Sequence, residues 1–139
     1  MELGTFGAIL TFALDFEGRI TRFYQAAAAG AAGEAGAAFA ELTAEGEKRA
    51  KVLERTRREC VAEMILEPIS DFHSEDYPVE AVTSAASAAE WVKTALQIEA
   101  VAEKFYSMAS AKVTVPEVAR ILKKVAKQHS EQTETLGEL

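Results

Sequence analysis

The chain has 139 residues, a formal charge of −7 and an isoelectric point near 4.9. That length suffices for one domain with a sizeable core, and the acidic balance argues against phosphate-backbone binding, which Lys and Arg drive, so no nucleic acid is expected as a partner. Nearly half of the residues are apolar and prolines are only three, Pro68, Pro78 and Pro116, a composition that points to an all-α fold.

In chain order, an apolar stripe of Phe6, Leu10, Ala13, Ile20 and Tyr24 predicts a first helix from about Leu3 to Ala29, interrupted by Gly30 and Gly33. Its opening run, Phe6 to Leu14, is too short to cross a bilayer and leads straight into Asp15, Glu17 and Arg19. No basic segment with a cleavage site precedes it, and with one cysteine, Cys60, no internal disulfide can form, so a cytoplasmic location without membrane attachment is expected. A second helix is predicted from about Glu34 to Met64, with Phe39, Leu42, Leu53, Val61 and Met64 on one side. The segment Leu66 to Val82 holds two prolines and a cluster of acids, and reads as a long crossover.

A third helix follows from about Ser84 to Ala111, with Trp91, Ala95, Ala102 and Tyr106 on one face. Thr114, Pro116 and Glu117 form the expected start of the fourth, with the threonine as cap. Its stripe is Leu122, Val125, His129, Gln132 and Leu136. Short, long and short connections make a four-helix bundle with one long crossover between helices two and three, a topology that includes ferritin-like folds.

An internal repeat is the most informative feature. At an offset of 82 residues, Leu14, Glu17, Phe23 and Tyr24 coincide with Leu96, Glu99, Phe105 and Tyr106. Glu17 lies between Ala13 and Ile20 on its stripe and Glu99 between Ala95 and Ala102, so both carboxylates are expected to point inward. A buried carboxylate is costly unless it is paired, hydrogen-bonded or metal-bound. The same offset matches Glu47 with His129, and Ala50 with Gln132.

These repeats, with the acidic stretch Asp71 to Tyr77, resemble the rubrerythrin branch of the ferritin-like superfamily over nearly the whole chain. In that family each half supplies a glutamate from its first helix and a Glu-x-x-His pair from its second, together holding two irons. The resemblance implies ligand roles for Glu17, Glu47 and Glu99. The chain departs from the pattern at His129, where a glutamate is expected, and at Ala50 and Gln132, where histidines are expected. The family's rubredoxin-like module needs four cysteines, and none follows Cys60.

Glu17, Glu47, Glu99 and His129 are therefore the candidate metal ligands, a set that suits one iron or manganese ion better than two. A plainer reading gives Glu17 and Glu99 a hydrogen bond to a neighbouring tyrosine, or an ion pair with Arg49 or Arg57. His73 sits among acids in a solvated turn; Tyr24 and Tyr106 read as hydrogen-bond donors ahead of a role in shuttling protons or electrons, and Lys48, Arg49, Lys51, Arg55, Arg57 and Arg58 as a salt-bridged face ahead of a dock for an acidic partner. Cys60 reads as an inert thiol. Two functions follow as expectations: a metal-binding, rubrerythrin-like oxidoreductase in peroxide reduction or iron handling, or a bundle that has lost its metal chemistry and serves as an interaction or scaffold module, as a homodimer.

Overall fold

A computed structural model describes residues 1–60 and 68–139. They form four helices, α1 (Phe6–Gly30), α2 (Gly33–Cys60), α3 (Ala88–Lys112) and α4 (Pro116–Gly137), and no strand among the described residues. None of these helices is long and apolar enough to cross a membrane. Consecutive helices pair tightly, α1 with α2 and α3 with α4, and the two hairpins bury a common core between them.

The helix ends follow local chemistry. Thr5 caps α1, its Oγ1 accepting from the Ala8 N–H at 3.1 Å. The helix therefore begins three residues later than Leu3, whose N–H instead donates to the Phe72 carbonyl at 2.8 Å. Gly33, at φ +67, turns the chain into α2 in a conformation that L side chains rarely adopt. The expected end of the second helix, with Val61 and Met64, lies outside the described residues. Ser87 caps α3, accepting from Glu90 N–H while the Glu90 carboxylate accepts from Ala86 N–H. This reciprocal pair sets the start at Ala88 instead of Ser84.

At α4 the expected cap is not made. Val115 occupies the cap position with no side-chain hydrogen bond, and Pro116 opens the first turn, so the start rests on proline's preset φ and its missing N–H instead of on Thr114.

Between α2 and α3, residues 68–87 hold one short 3-10 turn, Ser74–Asp76. The N-terminal residues bind this segment through Ile69 N–H to the Gly4 carbonyl and Ser74 N–H to the Met1 carbonyl, both 2.9 Å. Phe72 and Tyr77 anchor it in the core against Phe105, with ring centroids 5.6 and 5.2 Å away.

The burial pattern of each half repeats that of the other, with one change of register. Along α1 and α3 the offset of 82 holds: Ala13 and Ala95, Glu17 and Glu99, Phe23 and Phe105, Tyr24 and Tyr106 are all buried. α1 ends at Gly30 and α3 at Lys112, still in that register, but the first link is residues 31–32 and the second 113–115. The extra residue moves α4 to an offset of 83, the separation of Arg49 and Gln132. Phe39 and Leu122, Leu42 and Val125, Gly46 and His129, Arg49 and Gln132, Leu53 and Leu136 then correspond, and every one is buried.

Candidate functional site

Each helix of the bundle sends polar side chains to one buried point. α1 supplies Glu17 and Tyr24, α2 Arg49, α3 Glu99 and Tyr106, and α4 His129 and Gln132. Glu17, Glu99, His129 and both tyrosines are completely buried, and Arg49 is 4% and Gln132 7% exposed. Ordinary apolar neighbours at helical spacing place them there, Ala13 and Ile20 around Glu17, Val125 and Leu136 around His129 and Gln132.

His129 stands between the two carboxylates. Its Nε2 lies 2.6 Å from Glu17 Oε1 and its Nδ1 2.7 Å from Glu99 Oε2. A neutral imidazole would turn a lone pair toward one of these carboxylates, so with both carboxyl groups ionised the two nitrogens each donate a proton. Burial alone would lower the His129 pKa, but the charges and hydrogen bonds of Glu17 and Glu99 outweigh it and push it up to about 9. For Glu17, burial would raise the carboxyl; His129 and Arg49, with the Tyr106 hydrogen bond, hold it below the usual carboxylate value instead.

The tyrosines cross between halves. Tyr24 OH donates to Glu99 Oε1 at 2.6 Å and Tyr106 OH to Glu17 Oε1 at 3.0 Å. Burial, and then the facing carboxylate, raise both phenols well above their ordinary pKa, so they remain protonated donors. Arg49 Nε donates to Glu17 Oε2 at 3.3 Å and Nη1 to Gln132 Oε1 at 2.7 Å, while Gln132 Nε2 donates to Glu99 Oε1 at 2.8 Å. All four carboxylate oxygens accept, and two cations balance two anions. Arg49 Nη2 and Gln128 Oε1 are the buried side-chain polar atoms left without a partner among the described residues.

Three of the four expected metal ligands, Glu17, Glu99 and His129, come together here. Glu47 does not. It is exposed on α2, one residue past Gly46, because the counterpart of His129 is Gly46 and not Glu47. Ala50 likewise falls off the inward face, and its place is taken by Arg49, the counterpart of Gln132. Gly46 carries no side chain for good reason: a Cβ there would lie 2.5 Å from Thr21 Oγ1. The sequence signal that would have found Arg49 was the single extra residue in the second link. The plainer expectation of an Arg49 pair is met, but the tyrosine on each carboxylate comes from the opposite half.

The donor set does not fit a pair of metal ions. A metal ligand set converges on one point, whereas the two nitrogens of His129 diverge, each toward a different carboxylate, so the ring itself separates Glu17 from Glu99. The Arg49 guanidinium takes the remaining oxygen of Glu17. Among the described residues no group of three or more His, Cys, Asp or Glu side chains is arranged to hold a metal ion.

Comparison of the chain with protein-family models, with curated proteins and with solved structures finds no match.

Proposed function

We propose that this chain is a ferritin-like bundle, with one long crossover between α2 and α3, in which the protein's own cations stand where related bundles hold metal, and that it serves as an interaction or scaffold module. The observation that carries the reading is the charge-balanced cluster in which His129 bridges Glu17 and Glu99 and Arg49 completes it. Such a cluster supplies structure and specificity to a core. In it, all four carboxylate oxygens already accept from protein donors, and both ring nitrogens of His129 are taken up by carboxylates.

The second reading, one iron or manganese ion on Glu17, Glu99 and His129 in an oxidoreductase, is favoured by the proximity of those three buried side chains. It requires His129 to lose a proton and turn, and Arg49 to leave Glu17. Metal analysis of protein purified from iron- and manganese-replete cells, with the thermal midpoint measured with and without chelator, separates the two. We expect trace metal and an unchanged midpoint, because an ion that binds only the folded state must stabilise it by mass action. Metal near one equivalent, lost in Glu17→Ala with Glu99→Ala, would establish the second reading in place of the first.

A further inference from the structure

The surface of α4 is segregated by charge. Residues 118–130 contain Arg120, Lys123, Lys124 and Lys127 and no acid, whereas residues 131–139 contain Glu131, Glu134 and Glu138 and no Lys or Arg. The four cations recur at helical spacing, so they form one stripe about 10 Å long. All four are exposed. None makes an ion pair among the described residues, whereas Arg19 pairs with Asp15 and Lys48 with Glu45. On α2 the exposed cations Lys51, Arg55 and Arg58 are interleaved with Glu47, Glu54 and Glu59, whereas on α4 the acids stand only at the two ends of the stripe, Glu117 before Arg120 and Glu131 after Lys127.

The stripe borders an open groove of about 570 Å³ along α3 and α4, where Ser107 and Ser130 add hydroxyls and Glu103 the one acid. Buried Ala126 keeps the lining shallow. The internal repeat acts as a control on what the fold itself demands. The residues 83 positions earlier on α2 are Ala37, Ala40, Glu41 and Ala44, without a cation among them. Equivalent packing is thus achieved without the stripe, and like-charge repulsion along α4 is a cost that packing does not require.

Resting on the reading of the chain as an interaction module, we propose that this groove docks an acidic helical segment of a partner protein. Carboxylates at positions i, i+3, i+4 and i+7 of such a helix match the spacing of the four cations, and the shallow Ala126 lining lets its backbone approach. A nucleic acid fits less well. The stripe spans only a few phosphates, too short a track for a nucleic-acid backbone.

The test is fluorescence anisotropy of the full chain with a labelled, alanine-based helical peptide of about 14 residues carrying glutamates at that spacing. A single-stranded oligonucleotide of like charge and phosphatidylserine-containing vesicles run in parallel. We expect saturable peptide binding that weakens as NaCl rises from about 50 to about 300 mM. Lys123→Glu with Lys124→Glu should cut it by about tenfold or more, and Lys48→Glu with Lys51→Glu on α2 should leave it within about twofold. These exposed substitutions leave the core intact, which circular dichroism checks. Absence of saturable peptide binding, an equal loss in the α2 variant, or tighter binding of the oligonucleotide or vesicles would each overturn the proposal. The metal assay reads the underlying assignment separately, so the two failures are distinguishable.

Discussion

The two hairpins are built from one pattern, and their difference lies on α2 and α4. α1 and α3 present the same residues to the centre, a glutamate and a tyrosine each, and the tyrosines cross to the opposite carboxylate. α2 and α4 present glycine and arginine on one side, histidine and glutamine on the other. A two-fold arrangement of anions is thus met by a lopsided arrangement of cations. The symmetric half of the cluster creates a demand for positive charge, and the asymmetric half answers it with side chains.

The sharpest way to break this comparison is to remove the bridging cation. His129→Leu leaves two buried carboxylates against Arg49 alone, and should cost about 3–5 kcal/mol, a fall of roughly 10–20 °C in thermal midpoint. Replacing all seven polar members of the cluster together by apolar residues of similar volume should recover most of that loss, since a buried charge set is often no more stabilising than good packing. If His129→Leu unfolds at the parent's temperature, the cluster is not held by charge.

The same cation sets the pH profile. The His129 pKa is raised from 6.5 to about 9 on folding, so its contribution is fully present below pH 6.5 and is lost as pH rises through 9. The loss should be about 3 kcal/mol. Thermal melts across that window should show the decline in the parent and not in His129→Leu. The groups facing His129 are Glu17, Glu99 and Tyr106, with Arg49 beyond Glu17. The lowered Glu17 gives the acid limb: its contribution is present above 4.5 and is lost as pH falls further.

The tyrosine pair tests the symmetric half. Tyr24→Phe should cost about 1.5–3 kcal/mol, because it removes a short donor from a buried carboxylate. Tyr106→Phe should cost less, since its 3.0 Å bond shares Glu17 Oε1 with His129. Chemical denaturation of both variants reads the difference, and equal losses would mean the halves are more alike than their distances.

The smallest effects concern helix starts. Thr5→Ala and Ser87→Ala each remove an observed cap and should cost about 1 kcal/mol. Thr114→Ala should cost under about 0.5 kcal/mol, measured in the same way.

Much of the architecture was legible because period and identity agree. The four stripes, the inward Glu17 and Glu99 and the repeat itself follow from apolar spacing and coincident Leu, Glu, Phe and Tyr. Glu47 was misplaced because an offset read from first helices was carried across links of unequal length, and one residue turns a helix face by about 100°. Arg49 was hidden for the same reason, inside a run of charged residues that otherwise face solvent. Thr114 failed because a capping threonine and a leading proline offer competing starts, and only the geometry of Val115 and Pro116 tells which governs.

The contact between Gly46 and Thr21 reaches beyond packing to which residues position 46 can carry. A carboxylate at position 46 would be the counterpart of His129 on the other hairpin, yet even the first carbon of such a side chain meets Thr21 Oγ1 at 2.5 Å. A side chain there requires the Thr21 hydroxyl to move aside, and a carboxylate would add a third anion to a core whose two are already balanced by His129 and Arg49. Position 46 is thus guarded sterically by Thr21 and electrostatically by the filled cluster, and the difference between the two hairpins is held in place by how closely α2 lies on α1.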